Sequence, residues 1–239
     1  MNTQLINHSL LKKIVWLILF SIAMGYLESA VVVYLREIYY PNGFVFPLTP
    51  IESTIAITEF WREIATLVML LGIGILTGKS AAQKLACFLL SFAIWDVFYY
   101  IFLYLILGWP SSLMTWDILF LVPVPWVGPV LTPIIVSTLM IALSLCLIYF
   151  NRNLNKQEWG LSILGSIVII ISWVLDYWNF STTISSTDIW SISSSEDLFG
   201  TSTQYIPDSF NWYIFMTGVF FIILTIFSFY IRNNKLRKS

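Results

Sequence analysis

The sequence predicts an all-α integral membrane protein with about six transmembrane helices. Its composition, the length of its apolar segments and the placement of its basic residues support this prediction. Of the 239 residues, 58% are hydrophobic and 10% are charged, whereas soluble domains carry about 25% charged residues. So few charges cannot cover a soluble surface. We therefore expect a single transmembrane domain that covers residues 1–239.

Six segments are apolar over the roughly 20 residues that a helix needs to cross a hydrocarbon core about 30 Å thick. The first follows Lys12-Lys13 and begins like a signal peptide, but its apolar character continues through Leu35, so we expect a retained helix. No internal repeat is evident, so an inverted-repeat transporter architecture has no support. The predicted spans lie near 14–38, 53–77, 82–107, 129–150, 159–178 and 210–231.

Basic residues predict the orientation of these spans. With six spans, ten of the twelve lysines and arginines lie on the same side of the membrane. The positive-inside rule assigns that side to the cytoplasm, so both termini are expected to be cytoplasmic. Only Arg36 and Arg62 depart from this distribution, and both belong to the first two spans. The ten residues are Lys12, Lys13, Lys79, Lys84, Arg152, Lys156, Arg232, Lys235, Arg237 and Lys238.

Two outer segments differ from ordinary loops. After Trp109-Pro110, serines can cap a short helix that Pro123 would end. This piece is too short for a span and too apolar for a solvated loop, so we expect an interfacial or re-entrant helix near 111–122. The segment 179–209 is rich in Ser and Thr and lacks Lys and Arg. It predicts a lightly structured outer loop, which Trp190 and Tyr205 could fold over the outer face.

The polar residues inside the spans converge on the outer half of the membrane. Glu59, Arg62 and Glu63 place three charges within five residues on one helical face. An ionised residue at the centre of a membrane helix costs roughly 2.5–3.5 kcal/mol, so this face requires partners. We expect an outward-facing polar cavity lined by the first three helices. Its candidate residues are Glu28, Glu59, Arg62, Glu63, Asp96, Tyr99, Tyr100 and Asp117, with Arg36, Glu37, Trp116 and Trp126 as secondary candidates.

Structural explanations compete with this functional one. Arg62 with Glu59 or Glu28 is also consistent with an ion pair that only fixes helix packing. Arg36-Glu37 is consistent with a snorkelling anchor, and Trp126 with an aromatic belt. The excess of acids over Arg62 favours more than a lone ion pair. Some carboxyls then carry a proton, bind a cation or contact water.

Known cofactor chemistries find little support. The single histidine, His8, lies outside every apolar segment, which argues against haem, His-ligated zinc or copper, and Ser-His-Asp catalysis. Only the spacing of Glu59 and Glu63 supports a divalent ion, so no metal site and no cofactor are predicted. The expected partners are the lipid bilayer and a small solute, lipid or cation, with no nucleic acid. An oligomer is compatible with the sequence.

A resemblance adds to this interpretation. The run from Trp95-Asp96 to Gly108-Trp109-Pro110, and on to Pro125-Trp126-Val127-Gly128-Pro129, resembles uncharacterised multi-pass bacterial membrane proteins that share such Trp-Asp and Gly-Trp-Pro phrases. The resemblance covers the first four helices. It implies a bacterial inner-membrane protein and brings no activity with it.

Three function classes remain open. Transport or binding of a small solute, cation or proton comes first, because intramembrane acids commonly mark such pathways. A membrane-embedded enzyme that acts on a lipid or lipid-linked substrate at the outer leaflet is the first alternative. A non-catalytic subunit of a membrane complex is the second.

Overall fold

Six long helices dominate the computed structural model, which describes residues 8–121, 124–185 and 204–238. All six are long and apolar enough to cross a membrane, as predicted. Several extend past the predicted spans, since helical hydrogen bonding continues into polar residues that hydropathy excludes. The helices are α1 (His8–Tyr39), α2 (Ser53–Thr77), α3 (Ala81–Leu107), α4 (Leu131–Phe150), α5 (Lys156–Ser185) and α6 (Trp212–Lys238).

The prediction of a short helix near 111–122 is wrong. Within the described residues, this segment contains a turn followed by strand β1 (Trp116–Phe120), which pairs antiparallel with β2 (Trp126–Pro129). Tryptophan, isoleucine and phenylalanine favour strands, and a second extended segment, Trp126–Pro129, lies close enough in the chain to pair with the first. Residues 122 and 123 lie outside the description. We call β1 and β2 together the outer hairpin, after the side of the membrane on which the sequence predicts this segment.

The predicted loop 179–209 is also revised. Helix α5 continues to Ser185, seven residues beyond the predicted end of its span, and residues 186–203, with Trp190, lie outside the described residues. Tyr205, however, is 1% exposed. Its ring packs against Tyr177 and Phe46, and its hydroxyl donates a 2.5 Å hydrogen bond to Asp176. Tyr205 therefore packs against the end of the bundle that carries β1 and β2.

Helix α3 is the centre of the bundle. It packs against α1, α2 and α4, while α6 packs against α4 and α5. Small residues allow the closest approaches, as is common in membrane helices. A Cβ atom built on Gly25 of α1 would lie 3.0 Å from the Trp95 carbonyl oxygen and 3.2 Å from the Tyr99 nitrogen. Gly25 thus brings α1 against the part of α3 that carries Asp96, Tyr99 and Tyr100.

The opposite end of the bundle holds a buried ion pair that the sequence did not predict. Glu158 is 0% exposed, and Arg232 donates to it through Nε at 2.9 Å and Nη2 at 2.7 Å. Asn155 and Glu158 also exchange backbone-to-side-chain hydrogen bonds of 2.8 Å, which form a capping box at the start of α5. The Glu158 carboxylate therefore caps the N-terminus of α5 and also connects α5 to α6.

Adding a methyl group at Gly218 is expected to destabilise the α5–α6 contact. A Cβ there would lie 2.7 Å from Ile169 Cγ1 and 2.8 Å from the Gly165 carbonyl oxygen. Such overpacking costs about 1–3 kcal/mol, so Gly218→Ala should lower the free energy of unfolding in detergent by that amount. Gly72→Ala is the control, because nothing lies within 4 Å of its Cβ position. Equal stability of the two variants would contradict the packing described.

Candidate functional site

Arg62 is the centre of the ion-pair group on α2. Its Nε donates to Glu59 Oε2 at 2.7 Å, one helical turn earlier, and its Nη1 donates to Glu28 Oε1 of α1. Thr66 Oγ1 donates to the second oxygen of Glu28 at 3.4 Å. Both carboxylates proposed as partners from the sequence therefore pair with the same guanidinium. The arrangement joins α1 to α2 through charge-assisted hydrogen bonds.

Glu63 connects this group to the outer hairpin. It lies on the same face of α2 as Glu59, and both residues are 7% exposed. Glu63 Oε2 accepts a 3.0 Å hydrogen bond from the backbone N–H of Leu121, just beyond β1. No described residue forms an ion pair with Glu63 within 4.0 Å. Its charge is therefore held by a single peptide dipole.

Asp117 holds the hairpin against α1 and α3. It is 3% exposed, and its Oδ2 accepts a 3.1 Å hydrogen bond from the Tyr100 hydroxyl. Its Oδ1 lies 3.5 Å from Arg36 Nη2. Burial raises the pKa of Asp117 to about 6, although the charge of Arg36 and the Tyr100 hydroxyl act in the opposite direction.

Asp96 is held on the α4 side of α3. Its Oδ2 accepts a 2.8 Å hydrogen bond from the Ser137 hydroxyl, and it has no ion-pair partner among the described residues. Tyr99 lies within electrostatic range of both Arg36 and Arg62. The candidate residues thus form several hydrogen-bonded groups from α2 to α4 that lie within electrostatic range of one another, and we call these groups together the polar region.

Three secondary candidates lie outside this region. Glu37 is exposed. Trp116 packs edge-to-face against Phe210 at 6.2 Å, and Trp126 stacks on Trp173 of α5 at 5.8 Å. The two tryptophans therefore attach the hairpin to the α5–α6 side. Arg36, in contrast, belongs to the polar region through Asp117.

Two functional groups were missed by sequence reasoning. In the helix expected near 111–122, the Leu121 amide would bond to a backbone carbonyl and could not donate to Glu63. Ser137 gave only the weak signal of a hydroxyl on the buried face of α4, and packing of α4 against α3 brings it to Asp96. Both groups are hydrogen-bond donors to carboxylates without a guanidinium partner.

The region is rich in negative charge. It contains five carboxyls and two guanidiniums, and a buried carboxylate without a cation is strongly disfavoured. Within the described residues, no three His, Cys, Asp or Glu side chains are placed to hold a metal ion together. A small cavity of about 100 Å³ lies apart, at the end of α5 beside Asp176 and Asn179. The members of the polar region are Glu28, Glu59, Glu63, Asp96, Asp117, Arg36 and Arg62.

Asp117 is expected to make stability depend on pH. Its folded pKa of about 6 lies above the ordinary value of 3.8, so the folded state favours the protonated form. That stabilisation is complete below about pH 4 and is lost as the pH rises through 6, a change of roughly 3 kcal/mol. The unfolding free energy of the native chain relative to Asp117→Asn should therefore fall between pH 4 and 7. The attraction between Arg36 and the ionised carboxylate is already contained in this pKa, so only the difference in packing between Asn and protonated Asp adds an offset that does not vary with pH.

Unfolding in detergent at several pH values measures this difference. Asp208→Asn is the control for the amide substitution itself, because Asp208 is exposed and lies outside the polar region. A difference for Asp117→Asn that does not change with pH would contradict the prediction.

The polar region contains groups that can bind ions or exchange protons, and it does not match a known type of catalytic site. Its carboxyls can exchange a proton or bind a cation, and its guanidiniums can hold an anion. Its hydroxyl–carboxylate pairs, Ser137 with Asp96 and Tyr100 with Asp117, include no histidine, and no metal-ligand cluster is present among the described residues. Comparisons with protein-family models, with curated proteins and with solved structures found no match to this chain.

Proposed function

We propose that this chain is a multi-pass protein of a bacterial cytoplasmic membrane that binds a proton or small cation, together with a small solute, as part of transport. The binding site comprises Glu63 and Asp96 beside the Glu28–Arg62–Glu59 group. In the proposed orientation both termini are cytoplasmic and the outer hairpin faces the opposite side. The distribution of lysine and arginine supports this orientation.

One observation carries the proposal: Glu63 and Asp96 lie in the polar region without a guanidinium partner. Each accepts one hydrogen bond from a neutral donor, the Leu121 amide or the Ser137 hydroxyl. A neutral donor does not compensate a full buried charge. A proton or a bound cation would compensate that charge. Exchange between the protonated and the cation-bound carboxyl is the elementary step of coupled transport.

The Glu28–Arg62–Glu59 group has a different role in this proposal. Its charges are largely compensated internally, so it sets the position of α2 relative to α1 and keeps a negative field beside Glu63. The outer hairpin closes the site from above through the Leu121–Glu63 hydrogen bond. Protonation of Glu63 would weaken this hydrogen bond, because a hydrogen bond to an ionised carboxylate is stronger than one to a neutral carboxyl.

Infrared difference spectroscopy of the purified protein tests this proposal. We expect a protonated-carboxyl band near neutral pH that shrinks when Na⁺, K⁺ or an organic ammonium ion is added in excess. The cation-sensitive part of the band should be lost in the double variant Glu63→Gln/Asp96→Asn and retained in Glu37→Gln, whose carboxyl is exposed. A native protein without such a band and without a response to any of these cations would sink the proposal.

A further inference from the structure

Arg36 is a buried guanidinium whose hydrogen-bonding capacity is unused. It lies in the last turn of α1 and is 8% exposed. Its guanidinium donates no hydrogen bond to any described residue, and the nearest carboxylate oxygen, Asp117 Oδ1, is 3.5 Å from Nη2. Nη1 is enclosed and has no hydrogen-bond partner among the described residues. A buried charged donor without an acceptor is expensive, so this position favours the binding of an additional acceptor.

Aromatic rings hold this guanidinium in place. Cζ of Arg36 lies 3.7 Å from the centroid of the Trp109 ring and 4.6 Å from that of Phe44. The two rings contact each other edge-to-face at 6.0 Å. Cation–π contacts of this kind fix a guanidinium without using its N–H groups. The donors are therefore oriented in advance and remain available to an acceptor.

The neighbouring polar groups do not satisfy the donors of Arg36. Asp117 already accepts from the Tyr100 hydroxyl at 3.1 Å, and its separation from Arg36 is longer than a charge-assisted hydrogen bond of about 2.7–2.9 Å. The Tyr99 hydroxyl donates no hydrogen bond to a described residue and lies within electrostatic range of both groups. It is a further donor that the described residues leave unused.

We propose that Arg36 binds an oxyanion, a phosphate or carboxylate group, at the end of α1 beside the outer hairpin. The planar guanidinium matches two oxygens of such a group. Phe44 belongs to the loop between α1 and α2, so a shift of this loop admits the anion to Nη1. The oxyanion comes either from a lipid headgroup at this depth or from a free solute.

This site goes beyond the proposed cation or proton site and is separable from it. Arg36 forms no ion pair with Glu28, Glu59 or Glu63 among the described residues. Loss of oxyanion binding would leave the carboxyl band of Glu63 and Asp96 in place. Failure of one proposal therefore does not entail failure of the other.

The experiment uses two probes on the full chain. Native mass spectrometry measures retention of phosphatidylglycerol against phosphatidylcholine, and calorimetry measures binding of inorganic phosphate and acetate. Arg36→Gln should weaken binding of the effective probe by about tenfold or more, as loss of a charge-assisted pair predicts. Arg36→Lys keeps the positive charge but loses the planar guanidinium that binds two oxygens, so it should weaken binding by a smaller factor.

The control and the outcomes separate the two sources. Arg152→Gln removes an exposed arginine at the opposite end of the bundle and should bind both probes normally. Preferential retention of phosphatidylglycerol assigns the site to a headgroup, and binding of phosphate or acetate alone assigns it to a free solute. If the native protein binds neither probe, or if Arg36→Lys and a folded Arg36→Gln bind as well as the native protein, the proposal is overturned.

Discussion

Replacing Arg62 with methionine is expected to lower the free energy of unfolding by about 3–5 kcal/mol, the largest effect of any single change in the polar region. Arg62 compensates two carboxylates at once, those of Glu28 and Glu59. The side chains of these residues are 13% and 10% exposed, so water replaces the guanidinium poorly. Two negative charges would then face each other inside the bundle. Unfolding by denaturing detergent, followed by circular dichroism, measures the loss.

Neutralising the partners should restore most of that stability. In the triple variant Glu28→Gln/Glu59→Gln/Arg62→Met, no charge of the group is left without a counterion. We expect its unfolding free energy to lie well above that of Arg62→Met, as replacement of whole buried ion-pair groups often shows. A triple variant that is less stable than Arg62→Met would show that Arg62 acts by packing and not by charge.

Replacing Arg232 with methionine is the second change with a large expected effect. Glu158 is 0% exposed and accepts two of the three hydrogen bonds that Arg232 donates. Without the arginine it would keep a buried charge with only the Asn155 amide as donor. The side chain of Arg232 is itself 30% exposed, which lets water reach one side of the pair. We therefore expect a loss near the lower end of the range of about 3–5 kcal/mol.

A nearby basic residue gives the matched control. Lys235 is exposed on the same helix, and Lys235→Met should change the unfolding free energy by no more than about 0.5 kcal/mol. The double variant Glu158→Gln/Arg232→Met should recover part of the loss. Equal effects of Arg232→Met and Lys235→Met would show that the Glu158–Arg232 pair does not connect α5 to α6 in solution.

Local properties of the chain were predictable from the sequence. Hydropathy over a window of about 20 residues reflects the transfer of one segment into hydrocarbon, and all six spans were located from it. The pairing of Glu59 with Arg62 is also local, since residues three apart share a helical face. Convergence of Glu28 with Arg62 followed from the expected depth of each residue in the membrane.

Pairing between distant segments was not predictable in the same way. The expected helix near 111–122 was assigned from its flanking prolines and serines, whereas a strand is stabilised by a partner elsewhere in the chain. The Glu158–Arg232 pair was missed for a related reason. Arg232 was counted only among the basic residues that flank spans, and 74 residues separate it from its acceptor.

The sequence by itself determined that this chain has six helices long and apolar enough to cross a membrane. It also placed the acids within those spans, together with Arg36 and Arg62, in the half that the basic-residue count assigns to the outside. Composition and periodicity predict these features because the side chains along each helix must suit the lipid, protein or water that surrounds them. Only the tertiary structure decided which carboxyl has a guanidinium and which has a neutral donor. Those partners come from the hairpin and from α4, and their positions depend on packing across the bundle.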